Sequence, residues 1–376
     1  MLVPSSLHSA LDQAVAGGIF PGAVLAIRQG GARVFVIPAG RLSTDPPGSP
    51  VTSSTIYDLA SLTKPLATVT AMVLLVQRGQ CRLDNRVDSV LLELQGAAVG
   101  SATFRQLLTH SSGLPGWRGF YEQLSPNAAL PSSLEARAEA GRQVLHMIAK
   151  EPLVYGRGER SLYSDLGFML LGLTIERLSG ISLDRFVCEH IVQPLNAHTL
   201  SFLPIDSEGE SYKNSRIHLI APTERDTWRG RLLCGEVHDE NAAALGGVAG
   251  HAGLFGTAEA VLAVTGAWLT AYHRKTSILN PDVVEEFLKR QPSVPGSSWV
   301  VGWDTPSSPS SSGRYFSSHS FGHLGYTGTS VWIDPACELE VVLLSNRVHP
   351  TRKNEGIRVC RPMIHDLVYQ EYAQMY

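Results

Sequence analysis

The chain of 376 residues has little cysteine, no long apolar run and almost no charge imbalance, and each shortage removes a class of protein. Its five cysteines, Cys81, Cys188, Cys234, Cys337 and Cys360, lie far apart with no Cys-x-x-Cys pair, so neither a disulfide framework nor a structural zinc site is suggested. No stretch reaches about 18 uninterrupted apolar residues, so no membrane span is expected. The first residues show no basic segment followed by an apolar run, so no secretory signal is read there. A cytoplasmic location is the expectation, or a periplasmic one if a leader has been removed. A net charge of −3 with mixed signs leaves no footprint for nucleic acid or an anionic membrane, which makes small molecules the expected partners. The dinucleotide spacing, a Walker pattern and a His-Glu-x-x-His cluster are all missing, so no cofactor and no metal are expected, His238, Asp239 and His251 notwithstanding. No oligomeric state is implied.

At 44% hydrophobic residues the chain can bury a large core, as one domain of two lobes or as two domains. It is organised around Asp58-Leu-Ala-Ser61-Leu-Thr-Lys64-Pro65 and the run 66–76, apolar on every face and therefore a helix inside the molecule. Proline is tolerated in a first helical turn, where its missing N–H would be unpaired anyway, so Pro65 places Ser61 at or next to the helix start. Residues three apart share a helix face, which puts Lys64 within reach of the Ser61 hydroxyl. A free serine is a poor nucleophile, and a lysine in a dry, cation-rich pocket can serve as its base. A buried helix start with Ser61 as a cap is the other reading.

Helices are expected at 7–16, 101–108, 133–149, 258–272, 281–290 and 356–372, and strands at 22–28 and 33–37, joined by a Gln29–Ala32 turn. A Pro- and Ser-rich loop spans 42–54, another spans 291–320, and a polar, loop-like stretch at 202–231 is expected to cover the surface. His110 sits in a Gly- and Pro-marked turn, where a hydrogen-bonded structural role is favoured over a general base. Tyr163-Ser-Asp165 precedes a helix at 166–178. Ser164 or Asp165 suits the N-cap, while Tyr163 beside a lysine cation suits proton transfer. The glycines from Gly246 to Gly256 read as a turn that allows close backbone approach. Near the end, His323-Leu-Gly325 leads into a hairpin of segments 330–333 and 339–345 across Asp334-Pro335.

Ser61-x-x-Lys64, Tyr163-x-Asp165 and His323-x-Gly325, in this order and at these separations, resemble the three-motif set of the serine penicillin-recognising enzymes. That superfamily takes in class C β-lactamases, D-alanyl-D-alanine carboxypeptidases and related family VIII-like esterases. The strings Leu107-Leu-Thr-His-Ser-Ser-Gly-Leu-Pro115, Gly250-His-Ala-Gly-Leu-Phe255 and Gly322-His-Leu-Gly-Tyr-Thr-Gly-Thr329 are similar to its esterase and class C side, and the likeness spans roughly residues 10 to 370.

The resemblance implies an α/β (α+β) fold, an antiparallel sheet flanked by helices plus a mostly helical second lobe, with the site between them. The α/β lobe would be 1–75 and 295–376, and the helical lobe 76–294. It further implies Ser61 as acylated nucleophile, Lys64 as its proton acceptor, Tyr163 as base, and the backbone N–H groups of Ser61 and Tyr326 as oxyanion hole, with Asp165, His323 and Gly325 binding substrate. Asp165 replaces the family's usual Asn and, if it points inward, favours a protonated Lys64. His323 replaces the usual Lys and, being neutral at pH 7, binds carboxylate less well. Esters are therefore expected ahead of D-amino-acid peptides or β-lactams. A non-catalytic peptidoglycan- or ligand-binding protein of the same fold is the alternative of another class. A Gly-x-Ser-x-Gly elbow is absent, so the α/β-hydrolase route to an esterase is not supported.

Overall fold

The computed structural model describes residues 4–30, 33–44, 46–205, 207–291 and 294–372. Its main sheet has five antiparallel strands, β1 (Gly22–Gln29), β2 (Arg33–Gly40), β3 (Phe321–Leu324), β4 (Ser330–Asp334) and β5 (Leu339–Ser345), in the order β2-β1-β5-β4-β3. Both ends of the chain therefore build one sheet, with Leu25 opposite Leu343 and Ile27 opposite Val341. The expected first strands run longer, β2 to Gly40 through Pro38, which an edge strand tolerates because no ladder partner needs its missing N–H. Gly31 and Ala32 of the expected turn lie outside the described residues.

The helices that matter for the site are α1 (Ser5–Ala16), α2 (Thr70–Gln77), α3 (Phe104–Leu108), α4 (Leu134–Ala149), α5 (Asp165–Ser179), α6 (Ala258–Tyr272) and α7 (Ile357–Tyr372). Both faces of the sheet are covered, so its inner strands are apolar on both sides. Leu25, Ile27, Val341 and Leu343 pack with α1 and α7, while Val24, Ala26, Val342 and Leu344 join the larger core on the other face. Helix α6, which the sequence reading placed within the helical span 76–294, packs against β1 and β5 on that larger-core face. Its apolar residues run almost all round it, so it fits a buried layer better than a surface bundle.

The central element is buried as expected but does not begin as a plain α-helix. A 3₁₀ turn, Ala60–Leu62, is followed by a π-helical segment, Lys64–Val69, and only then by α2. Pro65 donates nothing, and the Thr70 hydroxyl donates to its carbonyl at 2.9 Å, five residues back, which suits the wider turn.

The stretch 202–231 departs from expectation too. It holds a helix, Ser207–Arg216, and a short ribbon of Arg225–Asp226 with Arg231–Leu232. Arg229 is fully buried there, with Asp226 at 2.6 Å and Glu236 at 3.1 Å. Buried charge that is paired looks, in a sequence, like surface loop. A second small sheet joins Tyr57–Asp58, Leu254–Gly256 and Ser201–Phe202, and it anchors the chain just ahead of Ser61.

Candidate active site

Lys64 is completely buried, and its ammonium group has three protons to place. It finds three oxygens: Ser61 Oγ at 3.0 Å, the His251 carbonyl at 3.1 Å and Asp165 Oδ1 at 2.7 Å. The Tyr163 ring lies 4.8 Å from Nζ, and the Tyr163 hydroxyl hydrogen-bonds both Lys64 and Ser61. Ser61, Lys64, Tyr163 and Asp165, more than a hundred residues apart at the extremes, thus form one cluster.

Local chemistry explains how α5 presents two of them. Ser164 is the N-cap: its hydroxyl accepts from the Gly167 N–H at 3.4 Å and donates to the Pro115 carbonyl at 2.7 Å. With the cap role taken, Asp165 stands on the first turn and turns inward to Lys64, which decides between the two sequence readings of the pair. The turn around His110 holds this segment from below. The Ser164 N–H donates to His110 Nδ1 at 3.1 Å, and the Leu162 N–H and Tyr155 hydroxyl both donate to the His110 carbonyl at 2.8 Å. His110 is therefore the structural residue the sequence favoured. Glycines set the third contact. A Cβ on Gly250 would stand 2.1 Å from the Phe168 carbonyl, so only glycine lets the 250–251 segment cross α5 closely enough to bring the His251 carbonyl to Lys64.

The electrostatics follow from burial and from one carboxylate. Burial pulls Lys64 down, yet the Asp165 charge beside it, helped by Tyr163, outweighs that and raises its pKa. Burial holds Tyr163 above the usual phenol range despite the nearby Lys64 cation. The resting cluster is a neutral serine, an ammonium, a carboxylate and a neutral phenol, so a free lysine amine is not waiting as the base.

His323, on edge strand β3, donates Nδ1–H to the Leu324 carbonyl at 2.8 Å, which leaves Nε2 as a lone pair with no partner among the described residues. Burial, with the Lys64 charge, pushes it down to about 3. Burial lowers His110 well below the ordinary range and His365 to about 3. All three stay neutral in the fold at pH 5, whereas an unfolded chain protonates them near pH 6.5. The unfolded state then binds more protons below that pH, so stability falls as pH drops from about 6.5, by up to about 1.4 kcal/mol per pH unit for each histidine. Urea midpoints at pH 7 and pH 5 check this, and equal midpoints contradict it.

The cluster opens into a cleft of about 450 Å³ whose lining includes Ser61, Tyr163, Trp299, His323, Gly325 and Tyr326. The N–H groups of Ser61 and Tyr326 donate to no protein acceptor among the described residues. A Cβ on Gly325 would meet Thr329 Oγ1 at 1.9 Å and the Leu59 carbonyl at 2.6 Å, so glycine keeps the β3 turn against the Ser61 segment. Trp299 escaped the sequence reading. It lies in the Ser- and Pro-rich loop, which also holds Trp303, and nothing local marks which of the two faces a site; its ring contacts His110 at 4.5 Å, Tyr163 at 5.7 Å and His323 at 5.5 Å. Arg347 and Arg361 line the far wall and were missed as well. His238 and His251 sit in separate pairs, with Glu224 at 2.9 Å and Asp239 at 2.8 Å.

The chain is similar to several known proteins. A protein of Escherichia coli (strain K12) named "Putative D-alanyl-D-alanine carboxypeptidase" is 33% identical over 319 residues, 79% of this chain and 70% of that one. An N-acetylmuramyl-L-alanine amidase of Bacillus subtilis (strain 168) is 31% identical over 368 residues, 90% of this chain and 80% of that one. Among solved structures, EstCE1, a hydrolase with promiscuous acyltransferase activity, superposes with a TM-score of 0.73 at 21% identity, covering 97% of this chain and 98% of its own. Unliganded simvastatin synthase from Aspergillus terreus gives 0.74 at 20% identity, covering 98% of both. Residues 7–359 match the Beta-lactamase family, and the chain is a member of that family, a hydrolase of its fold.

Proposed function

We propose that the protein is a serine hydrolase working through an acyl-enzyme on Ser61, and that it is a carboxylesterase acting on small esters. The observation that carries this reading is the buried Lys64 held between Ser61 and Asp165 at the floor of an open cleft. A pure binding protein gains nothing from a buried ammonium–carboxylate pair set against a serine hydroxyl, since burying two charges costs several kcal/mol per ion before pairing.

In acylation, Ser61 Oγ attacks the ester carbonyl as its proton passes to Lys64, and Lys64 hands one of its own protons to Asp165. Charge is conserved: Ser61 Oγ becomes a neutral oxygen bonded to the former carbonyl carbon, the former carbonyl oxygen takes the negative charge, Asp165 becomes a carboxylic acid and Lys64 stays an ammonium. The Ser61 and Tyr326 N–H groups take the oxyanion. Collapse expels the alkoxide, and the proton returns from Asp165 through Lys64 and Tyr163 to the leaving oxygen. Water then reverses the steps.

Ser61→Ala is expected to abolish turnover of a short-chain p-nitrophenyl ester while a chromogenic cephalosporin stays intact with the wild type. Turnover that survives the substitution sinks the reading.

A second reading, hydrolysis of D-amino-acid peptides ending in a carboxylate, is favoured by Arg361. This guanidinium is buried, lines the cleft, and bonds the Thr329 carbonyl at 3.2 Å, while its Nε has no acceptor and no acidic side chain pairs with it among the described residues. It supplies the positive charge that His323 lacks. Arg361→Met should lower kcat/KM about 10- to 100-fold for a carboxylate-bearing ester and leave a neutral ester within about threefold, the span expected for a hydrogen bond to a charged group. Equal losses on both esters count against a carboxylate subsite.

A further inference from the structure

Ala60, the residue ahead of Ser61, has φ of 48°, a left-handed conformation that L-residues other than Asn and Asp rarely take. Such strain persists only where the surroundings over-determine it. Here both of its backbone groups are held. The Ala60 N–H donates to Asp58 Oδ1 at 2.8 Å, and the Ala60 carbonyl accepts from the Thr63 hydroxyl at 2.6 Å.

The other oxygen of Asp58 reaches across the cleft wall. Oδ2 accepts the His238 N–H at 2.7 Å, and the His238 ring stacks on Tyr326 with centroids 5.7 Å apart. The Asp58 carbonyl accepts from the Thr327 hydroxyl at 2.7 Å, one residue past Tyr326. The carboxylate is buried and no Lys or Arg pairs with it among the described residues, so two backbone N–H groups are what satisfy it. Burial pushes its pKa up, against those two donors. Ordinary packing does not call for a buried carboxylate with no cation beside it.

We infer that Asp58 is a positioning residue: it locks the left-handed Ala60 elbow and ties it to the wall bearing Tyr326, so fixing the distance between the Ser61 and Tyr326 N–H groups. This rests on the acyl-enzyme reading for its kinetic consequence, though not for its geometry. An asparagine at 58 keeps one acceptor but aims an NH₂ group at a backbone N–H, so one of the two links is lost. Glycine at 60 adopts the left-handed elbow without strain and so needs the clamp less.

The test is kinetic with an independent structural readout. In Asp58→Asn, kcat for a p-nitrophenyl ester should fall about 100-fold with KM within about threefold, the span of a misplaced oxyanion donor. Adding Ala60→Gly to that variant should restore about tenfold, because the strain is relieved from the other side. Amide hydrogen exchange should show lost protection at Ala60 or His238. An unchanged kcat, a loss carried mainly in KM, or no recovery in the double variant overturns the inference. If Asp58→Asn does not fold, Thr327→Val, which removes the hydroxyl from the same residue's carbonyl, should lower kcat about fivefold or more, and a wild-type kcat overturns the inference. A wild type that turns over no ester defeats the esterase reading. Amide exchange then decides the positioning claim on its own, and protection retained at both amides of Asp58→Asn defeats it.

Discussion

Lys64→Met is expected to remove about 10³- to 10⁴-fold of kcat for ester hydrolysis, more than any other single change outside Ser61. Methionine fills similar space without a charge, so the loss reads proton transfer and not a cavity. Ser61 Oγ and the His251 carbonyl lose their donor, and Asp165 loses its ion-pair partner. The variant should also be less stable, by about 3 to 5 kcal/mol where one partner of a buried pair is removed. Steady-state kinetics with a urea titration check both parts. Activity within about tenfold of wild type would show that the serine proton leaves by another route.

Asp165→Asn is expected to change the shape of the pH profile as well as its height. In the native cluster burial works to lower the Lys64 pKa, and the Asp165 charge more than reverses it. Asparagine withdraws that charge, so the pKa of Lys64 falls. The sign then runs one way. Below its new pKa the lysine is an ammonium with no carboxylate to receive its proton, and kcat should drop about 10²-fold near pH 6. Above that pKa the free amine acts as base by itself, and kcat should climb back toward the native value. No histidine limb should appear between pH 5 and 8 in either protein, because His323 and His110 are held neutral across that range. A variant whose profile overlies the native one would remove Asp165 from the proton path.

Much of the fold could be read from local signals because those signals were local in cause. Helix α6 matches its expected span of 258–272 residue for residue, since Thr257 caps it and its apolar pattern is unbroken. The hairpin of β4 and β5 follows from two apolar runs around Asp334-Pro335. An apolar helix announces burial but not against which layer, so the packing of α6 on the sheet could not be read from its pattern. The small sheet of Tyr57–Asp58, Ser201–Phe202 and Leu254–Gly256 was invisible, because strands of two or three residues carry no period.

The same divide runs through the site. Ser61 and Lys64 are three apart on one turn, so their contact was legible, and Tyr163 came with its motif. The direction of Asp165 was not, because capping by Ser164 and pairing with Lys64 differ only in tertiary context. Trp299 and Arg361 come from a loop and from α7 that meet the cleft only in the folded chain.

The central claim is a covalent bond to Ser61, and intact-protein mass spectrometry reads it most directly. After brief incubation with a fluorophosphonate probe, and separately with a slowly deacylating p-nitrophenyl ester quenched in acid, the wild type should gain one adduct mass. Peptide mapping should place it on Ser61, and Ser61→Ala should gain nothing. An adduct on another residue, or ester turnover with no adduct under any quench, would contradict the acyl-enzyme account.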